Sequence, residues 1–164
     1  MLRATGARSA AMTLKPNAQP ATHVLSRKAR MISYGSATMV APATRVAILD
    51  DDQSVRTAIG RLLKTSQMEV DLFGTCIELF NAIEHERPSC IVLDLQMPGM
   101  NGIDVMRFLS QSGIHIPTIV VTAHDGPRTR EYCLGAGAAA YLCKPLDGDE
   151  LLKAIDDAIA PAGP

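Results

Sequence analysis

Cys90-Ile91-Val92-Leu93-Asp94 is an apolar run that ends on a carboxylate, and the turn-forming stretch Met97-Pro98-Gly99-Met100-Asn101-Gly102 lies just beyond it. A short apolar run bounded by turn residues reads as a buried strand, so Asp94 is delivered to a strand tip. Three further runs end in the same manner: Val46 to Leu49 leads into Asp50 and Asp51, Ile119 to Val121 into Thr122, and Tyr141 to Cys143 into Lys144. A polar residue at one tip is ordinary, because loops are polar. Four tips carrying carboxylates, a hydroxyl and an ammonium are a coherent set, since open parallel sheets bind ligands at the carboxyl ends of their strands.

Between these runs the periodicity predicts helices. After Asp52, Val55, Ile59, Leu62 and Leu63 fall on one face. Glu69 to Phe73 reads as a second strand, and Thr75 with Glu78 forms a capping box for a helix with Cys76, Leu79, Phe80 and Ile83 inward. Gly102 opens a third helix through Ile103, Met106 and Leu109, stopped near Gly113. Pro127 suits the first turn of a fourth, which ends at Gly135 or Gly137 and whose Arg128, Arg130 and Glu131 leave little apolar stripe. Asp147 and Glu150 start a fifth along Leu151, Leu152, Ile155 and Ile159.

Five βα units in about 120 residues require right-handed crossovers and a parallel sheet. The predicted fold is α/β, a flavodoxin-like (βα)5 doubly wound parallel sheet with strand order 2-1-3-4-5. Its switch point lies between strands 1 and 3, where Asp50, Asp51 and Asp94 are placed.

The length of 164 residues fits one domain with a tail, and 47% hydrophobic against 4% aromatic residues calls for an aliphatic core. Charge divides the chain. Residues 1–43 hold Arg3, Arg8, Lys15, Arg27, Lys28 and Arg30 and no acid, so all 17 acidic side chains lie beyond them. We therefore expect a disordered basic arm over 1–43, or a start at Met31 or Met39, and one domain over 44–161. An acidic body argues against nucleic-acid binding by that body.

Cys76, Cys90, Cys133 and Cys143 form no C-x-x-C pair, and His23, His85, His115 and His124 show no zinc spacing. Free thiols in a reducing cytoplasm are expected. No apolar stretch reaches the roughly 18 to 20 residues that span a bilayer, so membrane insertion is not expected. The arm's lack of acids resembles an organellar transit peptide, but Pro16 and Pro20 would break an amphipathic helix there.

Three clustered carboxylates repel one another unless a cation sits among them, and Mg²⁺ suits oxygen donors that leave room for water and a phosphate oxygen. A carboxylate can also attack phosphorus to form an aspartyl phosphate. Asp94 stands alone between Leu93 and Leu95 and is the candidate nucleophile, whereas the adjacent Asp50 and Asp51 suit the ion.

With Leu49-Asp50-Asp51-Asp52, Leu93-Asp94-Leu95-Gln96-Met97-Pro98-Gly99-Met100-Asn101-Gly102, Val121-Thr122-Ala123 and Lys144-Pro145 in this order, the stretch from about Arg45 to Ala160 resembles the receiver domain of two-component response regulators. The resemblance implies that Asp94 is the phosphoacceptor for a sensor histidine kinase. Mg²⁺ would be held by Asp51 and Asp94 directly, by Asp50 through water, and by the Gln96 backbone carbonyl. Thr122 and the Ala123 amide would meet phosphoryl oxygens, with Lys144 pairing another and Pro145 a cis-proline. Tyr141 would be an aromatic switch whose ring turns into space vacated by Thr122, changing the face of the fourth helix, fifth strand and fifth helix toward a partner protein. Gln96 and His124 occupy positions where the family tunes dephosphorylation.

The chain carries no DNA-reading element, so a stand-alone receiver or a fragment of a longer regulator is expected. It would be no enzyme toward a separate substrate, though it assists its own phosphorylation and dephosphorylation. A homodimer through the switch face is compatible with the resemblance, and no residue pattern specifies it. Two alternatives stand beside this reading. One is a receiver-like protein-binding module that never sees phosphate. The other is a haloacid-dehalogenase-like phosphatase, suggested by Asp50-x-Asp52 with Thr122 and Lys144; it lacks a later strand-tip acid, because Asp156 and Asp157 fall on a predicted helix.

Overall fold

The computed structural model describes residues 30–34, 37–41, 43–124 and 126–160. Five parallel strands alternate with five helices: β1 (Arg45–Leu49), α1 (Gln53–Thr65), β2 (Glu69–Phe73), α2 (Cys76–His85), β3 (Cys90–Asp94), α3 (Gly102–Gln111), β4 (Thr118–Thr122), α4 (Pro127–Gly135), β5 (Ala140–Cys143) and α5 (Gly148–Ile159). The sheet order is β2-β1-β3-β4-β5, the doubly wound arrangement expected from the five βα units. Arg30–Tyr34 and Ala37–Ala41 form a separate antiparallel pair within the stretch expected to be an arm; residues 1–29 of that stretch lie outside the described residues.

Side chains of a strand alternate between the faces of the sheet, so each apolar run feeds two cores. Ala47, Leu49, Ile91, Leu93, Val120 and Tyr141 pack with buried residues of α2, α3 and α4. Val46, Ile48, Val92, Ile119, Val121 and Leu142 pack with those of α1 and α5.

The helices begin where capping chemistry predicts. Asp52 accepts from the amides of Ser54 and Val55, and Thr75 with Glu78 completes a reciprocal capping box. Asn101 and Asp147 cap α3 and α5 through the amides of Asp104 and Glu150. On α1 and α2 the inward residues separate by depth: Ile59, Leu63, Leu79 and Ile83 are buried, while Val55, Leu62, Cys76 and Phe80 are partly so. On α3 the buried set is Val105, Met106 and Leu109, with Ile103 only partly covered. The helix is rotated from the expected stripe because Gly102 packs flat against β3.

Helix α4 differs from the others. Gly126 caps it without a side-chain bond, and among its described side chains only Cys133 is buried. No helix among the described residues is long and apolar enough to cross a membrane.

Candidate functional site

The sheet order brings the tips of β1, β3, β4 and β5 to one edge. Asp50 follows β1, Asp94 and Thr122 are the last residues of β3 and β4, and Lys144 follows β5. Asp50, Asp94 and Thr122, like Thr118 at the start of β4, are buried polar residues in a largely apolar interior. Each therefore needs a partner, and among the described residues no buried side-chain nitrogen or oxygen lacks one.

Lys144 supplies the central partner. Its Nζ donates to Asp94 Oδ1 at 2.7 Å and to Asp50 Oδ2 at 2.8 Å. The remaining oxygens accept from backbone amides: Asp94 Oδ2 from Gln96 at 2.8 Å, and Asp50 Oδ1 from Asp52 at 2.9 Å. The loop carrying the lysine is tied down where the Lys144 amide donates to the Thr122 carbonyl at 2.7 Å, and the Lys144–Pro145 peptide bond is cis. The guanidinium of Arg56 on α1 donates to the Asp50 carbonyl. Sequence reasoning gave Arg56 no role, because only the fold reveals that the first turns of α1 lie over this tip.

Electrostatics follow from burial and this bridging. Burial raises the Asp94 pKa above the ordinary carboxylate value, with Lys144 lowering it and the negative charge of Asp50 adding to the rise. Burial works against the Lys144 charge, but two carboxylates outweigh it and hold the ammonium above its ordinary lysine value. The site therefore holds two carboxylates and one firmly charged ammonium.

Thr122 and Tyr141 meet at the backbone of His124. The His124 amide donates to Thr122 Oγ1 at 3.1 Å, and Thr122 Oγ1 donates to the His124 carbonyl at 3.4 Å. The Tyr141 hydroxyl donates to that same carbonyl at 3.4 Å, with its ring buried. Asp51, Gln96, Ala123 and Pro145 are exposed at the rim.

The carboxylates gathered at this edge suit a hard divalent cation better than zinc or copper. No group of three or more His, Cys, Asp or Glu side chains among the described residues is gathered to hold an ion; Asp50 and Asp94 instead share the Lys144 ammonium, and Asp51 is exposed. Mg²⁺ binds through as few as one or two carboxylates plus water and a phosphate oxygen, so the oxygen chemistry of Asp50 and Asp94 is compatible with it.

Comparison with known proteins agrees with this geometry. The family model described as "Response regulator receiver domain" matches residues 46–156. The response regulator MprA of Mycobacterium bovis (strain BCG / Pasteur 1173P2) is 37% identical over 110 residues, covering 67% of this chain and 48% of that protein. MprA of Mycobacterium leprae (strain TN) is 37% identical over 111 residues, covering 68% and 49%. The chain thus spans about half the length of these curated relatives. Among solved structures, FixJ-N superposes with a TM-score of 0.69 at 27% identity, covering 76% of this chain and 99% of that one. A CheY-like response regulator receiver domain protein from Methanospirillum hungatei JF-1 gives 0.66 at 26% identity, covering 71% and 94%.

Proposed function

The chain belongs to the response regulator receiver family, and we propose that it is a phosphorylation-dependent switch in which Asp94 accepts a phosphoryl group from the phosphohistidine of a sensor histidine kinase. The observation that carries this reading is the Lys144 ammonium, 2.7 Å from Asp94 and 2.8 Å from Asp50 at the carboxyl edge of the sheet. An ammonium so placed is a fixed counter-charge for the oxygens of a group arriving at Asp94.

In the proposed transfer, an Asp94 carboxylate oxygen forms a bond to phosphorus as the phosphorus–nitrogen bond of the donor breaks, and the imidazole keeps that electron pair. Lys144 moves with a phosphoryl oxygen while retaining Asp50. Thr122 turns its hydroxyl, and Ala123 its amide, toward the other oxygens. Asp50, Asp51, Asp94 and the Gln96 carbonyl would hold Mg²⁺, which supplies positive charge against the incoming oxygens. Pro145 sets the loop from which Lys144 reaches in.

The consequence is proposed to reach a partner protein through the α4-β5-α5 face, with Tyr141 as the moving aromatic, in the cytoplasm and without contact to nucleic acid by this chain. The same face could pair two copies. The decisive experiment is labelling with a small phosphodonor such as acetyl phosphate in the presence of Mg²⁺. Wild type should incorporate acid-labile phosphate at the level of one acyl phosphate, and Asp94→Asn should incorporate none. Undiminished labelling of Asp94→Asn would defeat the assignment.

A further inference from the structure

The guanidinium of Arg130, on the exposed face of α4, lies over the buried ring of Tyr141 with its Cζ 5.7 Å from the ring centroid. A cation within about 6 Å of an aromatic face is attracted by the ring quadrupole. From this contact we infer that Arg130 is a positioning residue that holds Tyr141 in its buried arrangement and thereby sets how far the switch is thrown before any phosphoryl group arrives. The inference rests on the reading of Asp94 as phosphoacceptor and of Tyr141 as the moving aromatic.

Two features give the contact leverage. The first is a shared acceptor. Tyr141 and Thr122 both donate to the His124 carbonyl at 3.4 Å, long for hydroxyl donors, whose hydrogen bonds cluster at about 2.7 to 2.8 Å. The two hydroxyls thus share one acceptor, each at a long distance. When Thr122 turns toward a phosphoryl oxygen, it leaves the carbonyl to Tyr141, and the buried ring becomes better anchored. Until then Arg130, over one face of the ring, adds to what holds Tyr141 in place.

The second feature is the poor attachment of α4. Among its described side chains only Cys133 enters the core, its N-cap makes no side-chain bond, and Tyr132 reaches outward to accept from Arg107 of α3 at 3.1 Å. A helix held by so few contacts is displaced at little cost. The link between Arg130 and Tyr141 therefore joins a lightly held helix to a chain of groups, from Tyr141 through His124 to Thr122, that ends beside Asp94. Coupling of this kind is reciprocal: what favours the buried ring favours the phosphoryl-bound site, and the converse.

A cation over an aromatic ring at an exposed site changes an equilibrium by a factor of about 2 to 5. Removing the charge should shift the buried-to-exposed ratio of Tyr141 by that factor and weaken beryllofluoride binding, a phosphoryl mimic, in the same direction. The test places 3-fluorotyrosine at Tyr141 alone and reads the buried and exposed populations by fluorine NMR, with and without Mg²⁺ and beryllofluoride. Arg130→Met, which keeps helix propensity and side-chain length, should lower the buried-to-exposed ratio by about 2- to 5-fold, and Arg130→Lys should recover most of the loss. A ratio unchanged in Arg130→Met, or not recovered by Arg130→Lys, overturns the assignment. If the wild-type signal ignored beryllofluoride, the phosphoacceptor reading would fall, while the variants without ligand would still decide whether Arg130 holds the ring.

Discussion

Lys144, just after β5, and Asp94, at the end of β3, lie fifty residues apart in sequence and meet at 2.7 Å, with Asp50 taking a second hydrogen bond from the same ammonium. The lysine is thus a structural counter-ion as well as a candidate ligand for a phosphoryl oxygen. Lys144→Met leaves two buried carboxylates facing each other without a cation. Breaking a buried pair in this way costs about 3 to 5 kcal/mol, and solvent access to the lysine, whose side chain is 20% exposed, places the expected loss at the low end. Adding Asp94→Asn should recover part of it by removing one of the repelling charges. Urea denaturation of the two single variants and the double variant checks this; equal losses in Lys144→Met and in the double variant would show that the carboxylates do not sense each other.

Metal binding should read out as stability. A ligand that binds only the folded chain, at about ten times its dissociation constant, stabilises it by about 1.4 kcal/mol. Mg²⁺ should therefore raise the urea midpoint of the wild type, and a chelator should reverse the gain. Asp51 is exposed, so Asp51→Asn should cost little without Mg²⁺ and should lose most of the increment with it. An undiminished increment in that variant would remove Asp51 from the ligand set.

Much of this architecture is legible in the chain. The four polar strand tips and the alternating helix-period segments lead to the strand order, because five βα units with right-handed crossovers have few ways to form one sheet. The capping residues Asp52, Thr75, Asn101 and Asp147 mark helix starts through local hydrogen bonds that depend little on tertiary context. What escapes is whatever depends on the rotation of an element. Val105 is buried and Ile103 less so because Gly102 brings α3 close to β3. Arg130 reaches Tyr141 although α4 has no apolar stripe from which its orientation could be read. Arg56 grips the Asp50 carbonyl through a side chain that periodicity assigns to neither core nor site.

Gly102 is required by space rather than by backbone conformation. A Cβ there would lie 2.7 Å from the Asp94 carbonyl oxygen and 3.1 Å from the Leu95 Cα, and both neighbours are backbone atoms that cannot swing aside. Gly102→Ala should destabilise the fold by about 1 to 3 kcal/mol and, by displacing the end of β3, should weaken beryllofluoride binding. Gly113 is the contrasting case, with φ of +68° and open space around its position. Gly113→Ala should cost about 1 kcal/mol through backbone strain and leave beryllofluoride affinity unchanged. If both variants bound the mimic as tightly as wild type, the close approach at Asp94 would have no bearing on the site.

Cys90 makes stability sensitive to alkaline pH. It is fully buried at the start of β3, and burial raises its thiol from an ordinary value of 9.0 to about 12. Between those two values the unfolded chain has lost this proton while the folded chain keeps it. Fewer protons are then bound in the unfolded state, so stability falls as pH rises through that window and is fully present below it. The slope for one such group is about 1.4 kcal/mol per pH unit, giving a comparable loss between pH 8 and pH 10 beyond whatever the other titrating groups contribute. Cys90→Ala removes this contribution while retaining the others, so its stability should decline less over the same interval, although it begins lower because a buried group has been deleted. Denaturation midpoints for both proteins at pH 8 and pH 10 provide the comparison, and parallel declines would mean that the Cys90 thiol ionises as readily in the folded chain as in the unfolded one.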